Sequence, residues 1–500
     1  MAVHVVHAPK EIWMFLLLPL LLAQDTDDEE ESVEPVRMRT QVEFRSFDLE
    51  MAMPAPALGP ATLSAQVGGT QDFALFRSQV EAMVMPSSEA LLMEGLLSEH
   101  DLPPRTIAPC DQVLCVVTET SKWPVSGAEE VQVFAQLGFD TNIVASTWQR
   151  PSVDLTVLID ASGSMAGGPE QISRLALAVL QRQLYPDDRV RVMLVDGGQV
   201  SIIGEDLVPG EPEGWDAARR AVPSGQGWTE LFSGVDQALR TAIVSQSPGR
   251  NARVMVISDQ RPNRGHTGAQ DFVSLARLAA GRGVGLTWLG VGDADPSFGA
   301  KVGTVRGGNA LYIPGGRDLV QRFGDDLDML VTPLAYDLAL EIRPASGWRL
   351  AGVYGIPGQA LSTDTSGVVR LNVATLFPSK EGGAIYLGLA PETLSWGPST
   401  PALPGTSMGS VVMSYEPVGG QVQTQVLGLT LEPETHRSLG LQRGHHLVEL
   451  YFLLQALVEQ PPSLALGQRV VDWKAQVSDD PELASAGELL GMLYALTVGC

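Results

Sequence analysis

Hydrophobic spacing changes character three times along the chain. Between residues 151 and 331, short continuous apolar runs alternate with stretches whose apolar residues recur every three or four positions. The runs cover residues 153–159, 190–195, 200–203, 253–258, 285–291 and 310–313. The periodic stretches cover residues 170–184, 215–221, 231–244, 270–280 and 317–330. Continuous β-branched runs of this length predict strands buried on both faces, and the three-to-four spacing predicts amphipathic helices. Regular alternation of the two predicts an α/β unit with a doubly wound parallel sheet and helices on both faces.

On either side the pattern becomes two-residue alternation. Residues 112–120 and 130–140 precede the α/β unit, and several short runs separated by Gly, Pro and Ser fill residues 332–432. Such texture predicts strands of an all-β sandwich. Neither early segment leads into a helix, so both are expected to pair with the later ones, leaving the α/β unit inserted into the sandwich. Insertion suits a unit whose ends lie close together. Residues 433–500 read as helical: residues 441–459 carry one apolar face, and Asp480 followed by Pro481 marks a helix start. These helices are expected to pack within the chain. Residues 87–100 read as one further helix, capped by Ser87 or Ser88, and residues 41–49 as a strand.

The expected organisation is therefore a signal segment at 1–24, an acidic linker at 25–38, and a helix with sandwich strands at 39–150. The α/β unit follows at 151–331, sandwich strands at 332–432, and a helical region at 433–500. The signal reading rests on Lys10 followed by a short apolar run, residues 12–23, too short to span a bilayer comfortably. It predicts an exported protein, periplasmic, surface-bound or secreted, with no membrane span in the mature chain. The basic residues are overwhelmingly Arg, a composition that suits a bacterial genome rich in GC. A net charge of −25 argues against nucleic-acid partners, whose phosphates would be repelled. Among three Cys, Cys110 and Cys115 can pair if the chain is exported and a loop separates them. On a single strand they would face opposite sides and could not.

Chemistry concentrates where the first central strand ends. In `VDLTVLIDASGSM` the apolar run closes on Asp160, and Ser162 and Ser164 follow at alternate positions. Farther on, Thr229 precedes a helix in `SGQGWTELFSGV`, and Asp259 ends the strand in `RVMVISDQRPN`. Asp-x-Ser-x-Ser resembles the start of the metal-ion-dependent adhesion site of von Willebrand factor type A domains. In that family a Thr at a loop–helix junction and an Asp ending a central strand complete the set. The resemblance thus implies Asp160, Ser162, Ser164, Thr229 and Asp259 as metal-site residues in a Rossmann-like α/β domain. Gln260 departs from the family, where Gly commonly follows the last Asp, and a side chain there could contact a ligand.

The donor types lead to the same ion class independently. Carboxylate and hydroxyl oxygens select hard cations, Mg²⁺ or else Mn²⁺ or Ca²⁺, and a set without His or Cys disfavours zinc. Neutral hydroxyl ligands leave the ion much of its charge and an open position for a carboxylate from another molecule. The reading is thus a metal-dependent protein-binding or adhesion module, not an enzyme, whose partner presents Asp or Glu. Trp228, beside Thr229, is a ligand-contact candidate if exposed; packing beneath the loop is the preferred alternative.

Two other functions compete. One is a hydrolase, either metal-assisted, which would need a general base near the ion where no His is close in sequence, or built on `GTSMG` at residues 405–409, which matches a nucleophile elbow around Ser407. That motif requires a preceding strand and a following helix, whereas here a Pro-rich loop precedes and a strand-like run follows. The other competitor is a scaffold with a vestigial metal site. His445 and His446 sit on a helix without a second ligand cluster in sequence and read as a surface or core pair.

Overall fold

The computed structural model describes residues 62–69, 73–105, 109–225, 227–356, 367–392 and 403–499. The signal segment, the acidic linker and the strand expected at 41–49 lie outside them. All described residues fall in one compact unit.

Six strands form the inserted sheet, in the order Gln199–Leu207, Arg189–Asp196, Val153–Asp160, Asn251–Ser258, Val284–Val291, Gly308–Ile313. All neighbours run parallel except the edge hairpin of Arg189–Asp196 with Gln199–Leu207, which is antiparallel. Val153–Asp160 shows why the run is apolar toward its carboxyl end, where Val157, Leu158 and Ile159 follow one another. Val153, Leu155, Val157 and Ile159 face a core beneath helices Gly168–Gln183, Pro212–Ala221 and Gly316–Val331. Leu158 faces the opposite core, under Leu231–Ser245, Ala269–Ala280 and Pro296–Gly303. A strand with both faces covered reads as a near-continuous apolar run where both cores are deep.

The second sheet has nine strands, in the order Ser64–Val67, Val369–Ser379, Ala335–Pro344, Ser407–Pro417, Gln423–Glu432, Cys115–Lys122, Val133–Asp140, Ala384–Pro391, Trp348–Tyr354. Its two halves join through only two parallel pairs, Leu431 with Thr120 and Glu432 with Ser121. The halves fold onto each other: Leu338, Leu340 and Val411 of one share a core with Val116, Leu137 and Leu387 of the other. This is the sandwich built from both flanks of the inserted unit. Cys115 opens its strand while Cys110 lies in the loop before it, and the two form a disulfide.

A third layer covers the outer face of the strands around Val133–Asp140. Helices Leu439–Glu459, Leu464–Gln476 and Ala484–Val498 share a core with Phe134, Tyr354 and Tyr386, joined by Phe76 and Val80 of the helix Ala74–Glu81. Contact is backbone-close: a Cβ on Gly444 would meet the Tyr386 ring at 1.9 Å, and the Tyr386 hydroxyl donates to the Gly440 carbonyl at 2.8 Å. The helix expected at 87–100 is broken. A 3₁₀ turn, Ser88–Ala90, is followed by extended Leu91 and Leu92, then by Met93–Ser98. The extended pair sends buried Leu91 and Leu96 to one core, which continuous helix would not do.

Candidate metal-binding site

Three loops meet at the carboxyl ends of Val153–Asp160 and Asn251–Ser258. From the first strand the chain turns outward one way to Arg189–Asp196, and later the other way to Asn251–Ser258. In open parallel sheets this reversal leaves a crevice between loops that diverge to opposite faces. Asp160, the last residue of its strand, and Asp259, the first after its own, stand on adjacent strands there.

Asp160 is 2 % exposed and held by two donors. The Ser162 amide donates to Oδ1 at 2.9 Å, and the Ser258 hydroxyl to Oδ2 at 2.9 Å. Ser258 Oγ in turn accepts from the Gln260 amide at 3.0 Å. Burial pushes the Asp160 carboxyl up to about 6, against the pull of those donors, and the nearby Asp259 charge adds to the rise. Two carboxylates desolvated side by side gain from a cation between them. Ser162 and Ser164 hydroxyls lie 3.1 Å apart, the first buried and the second open to solvent.

The Thr229 loop is tied to both neighbours. The Gly163 amide donates to the Gly227 carbonyl at 3.1 Å, and the Thr229 amide to Asn263 Oδ1 at 3.1 Å. Gly225 passes so close over the first loop that an added Cβ would meet the Ser162 carbonyl oxygen at 2.0 Å. Thr229 is buried, and its hydroxyl has no hydrogen-bond partner. An unsatisfied buried hydroxyl is costly. On a loop hydrogen-bonded to the turn that carries Ser162 and Ser164, it is what an oxygen-coordinated divalent cation would repair. The residues present therefore fit such an ion. Ser162, Ser164 and Thr229 would hold it, with Asp160 and Asp259 balancing its charge.

Architecture and loop set together decide the class of the inserted unit. By fold, it is similar to von Willebrand factor type A domains. No family model and no curated protein matches the chain. Among solved structures, it is similar to a von Willebrand factor type A protein from Catenulispora acidiphila, at 15 % identity and TM-score 0.49, covering 78 % of this chain and 90 % of that one. It is also similar to the conserved hypothetical protein BatB from Bacteroides thetaiotaomicron, at 14 % identity and TM-score 0.28, covering 35 % and 98 %. A third is proximal thread matrix protein 1 from the mussel byssus with a zinc-occupied adhesion-site motif, at 16 % identity and TM-score 0.30, covering 35 % and 46 %.

The two ligand-contact candidates separate. Trp228 is 41 % exposed, with the Arg264 guanidinium 4.7 Å over its ring, so it stands on the rim of the type A domain's loops and is not packed beneath them. Gln260 is buried and turned inward. It takes positive φ (60°), and its amide lies against Gly290 and Gly299, beside the Trp288 indole and the Asp295 carbonyl. It braces the strand end from below and does not face the loops. Sequence reasoning missed Ser258 and Asn263, whose side chains fix Asp160 and Thr229. Both flank Asp259, and neither carries a spacing that marks a partner on another loop. Ser407, exposed, begins a strand paired with Gln423–Glu432 in an antiparallel hairpin. The helix that a nucleophile elbow needs after its Ser is not there.

Proposed function

We propose that the chain is a divalent-cation-dependent protein-binding module of the adhesion type, in which Asp or Glu of a partner completes the coordination of a Mg²⁺ held by the type A domain. The buried, unpartnered Thr229 hydroxyl, on a loop hydrogen-bonded to the turn that carries Ser162 and Ser164, carries this reading. Bound there, the cation would supply positive charge that neutral hydroxyl ligands leave largely uncompensated, attracting an external carboxylate. The chain's own residues do the rest. Ser162 N–H and Ser258 O–H fix the Asp160 carboxylate, Asn263 fixes the Thr229 backbone, and Trp228 offers an exposed aromatic surface beside the ion. The role is binding, with no catalytic step. The Cys110–Cys115 disulfide supports an exported protein, because such bonds persist in oxidising compartments. Among the described residues no helix is long and apolar enough to cross a membrane.

The test is calorimetric Mg²⁺ titration of the wild type and of Ser162→Ala. Saturable binding by the first and none by the second, at equal far-UV circular dichroism, is the supporting result. Equal binding by both would refute it.

A further inference from the structure

The helix Leu439–Glu459 carries a second cluster of ligating side chains, unrelated to the type A loops. The ligand atoms of His445, His446 and Glu449 lie within 4.8 Å of one another. Glu449 Oε2 is 3.6 Å from His445 Nδ1 and 3.8 Å from His446 Nδ1. These separations are too long for hydrogen bonds. They are close to the edge of a tetrahedron around one ion, roughly 3.3 Å for zinc bonds of about 2.0–2.1 Å.

Surrounding groups fix two of the three ligands, His445 and Glu449. His445 Nε2 lies 2.8 Å from the Pro124 carbonyl oxygen. A carbonyl only accepts, so Nε2 carries the hydrogen and the neutral ring keeps its lone pair on Nδ1. A carbonyl holding the far nitrogen of a His is the usual support for a metal-binding imidazole. The ring is stacked on Trp123 at 3.9 Å and met edge-on by Phe134 at 5.2 Å. Glu449 Oε1 accepts from the Ser126 amide at 3.0 Å, leaving Oε2 toward the imidazoles. His445 is 1 % exposed, and both Nδ1 atoms are buried without a hydrogen-bond partner. Two bare imidazole nitrogens turned toward one carboxylate oxygen in a covered site are costly unless something joins them.

We propose that His445, His446 and Glu449 bind a divalent transition metal, zinc by preference, through the two Nδ1 atoms and Oε2. Two imidazoles and one carboxylate suit zinc over Mg²⁺ or Ca²⁺, the reverse of the oxygen-only loop site. Three protein ligands leave a fourth position on the side of His446, the more exposed of the two rings, for water or a donor from outside. The ion would tie the helix to the Pro124–Ser126 turn of the sandwich.

The experiment is zinc titration of the full chain carrying Cys500→Ser, with excess Mg²⁺ present to occupy the oxygen-only site. Binding is read by competition with a chromophoric chelator and by the rise in Tm. We expect one zinc per chain at this site. His446→Ala should lose about a hundredfold in affinity and Glu449→Gln at least about tenfold, and the zinc-dependent Tm rise should vanish in both. Co²⁺ should give four-coordinate d–d absorption that His446→Ala abolishes. His446 lies nearer the surface than His445, so its removal should leave the metal-free fold intact, as circular dichroism would show. Absence of zinc uptake, or uptake unchanged in both variants, would overturn the proposal without touching the loop site.

Discussion

Thr229 exposes the tension on which the candidate site depends. A buried hydroxyl without a partner weakens the metal-free protein and has value only when an ion is present. Thr229→Val keeps the shape and removes the hydroxyl. The metal-free variant should be as stable as the wild type, or more so by up to about 1 kcal/mol, while Mg²⁺ affinity falls at least about tenfold. Thermal unfolding with and without Mg²⁺ reads both quantities, and a loss of metal-free stability would show that the hydroxyl has a structural partner. At this scale much was legible. Asp160, Ser162 and Ser164 share one loop, and a run that ends abruptly in polar residues at a strand terminus announces itself. The orientations of Trp228 and Gln260 were not legible, because each depends on a neighbour far away in the chain. Arg264 lies over the Trp228 ring, and Trp288 and Asp295 flank the Gln260 amide.

Single elements respond to the cores they bridge. The six-residue helix Met93–Ser98 carries Glu94 in its first turn, beside a cleft that also involves Arg277 and Lys301 of the type A domain. Burial raises the Glu94 carboxyl above its ordinary value, against a smaller lowering by its own backbone amide. The folded chain therefore holds that proton to higher pH than the unfolded chain does, and stability falls as pH rises through the ordinary carboxylate range. Glu94→Gln should raise Tm at pH 8 and leave it unchanged near pH 4; equal shifts at both would mean the carboxyl is unperturbed. Sequence periodicity found the long helices and the central strands, where many residues repeat one spacing. It missed Ala74–Glu81, whose buried face is only Phe76 and Val80. A two-residue stripe gives periodicity too little to repeat.

At the scale of the molecule, the type A unit is pinned where the chain enters it and again against the sandwich. Arg150, just before its first strand, donates to Asp188 at 2.7 and 3.0 Å and to Asp328 at 2.6 Å, and lies over the Tyr185 ring. Asp188 also accepts from the Val153 amide at 2.8 Å, and the Arg150 and Asp188 side chains are fully buried. Arg150→Met leaves Asp188 charged and buried, so a cost of about 3–5 kcal/mol is expected, read as a lowered midpoint in urea. A change under 1 kcal/mol would show that solvent reaches the pair. On the other side the Gly307 amide donates to Thr375 Oγ1 at 2.7 Å, and Arg306 pairs with Glu416 and Asp337. That the flanking strands close into one sandwich was readable from their texture; the pinning at Arg150 was not, since Arg150 and Asp188 carry no pattern linking them.

Asn251 touches both segments that join the type A domain to the rest. Its amide donates to the Ser152 carbonyl at 2.9 Å, and its side chain donates to the Val331 carbonyl. It begins a strand whose far end abuts Asp259, eight residues and roughly 26 Å away. A partner tugging on the cation would thus load the sheet lengthwise, anchor at one pole and tether at the other. Tension along parallel strands must shear whole ladders of hydrogen bonds at once, whereas a sideways pull opens them one after another. Such a domain should resist unfolding best when stretched from its ligand toward its own roots.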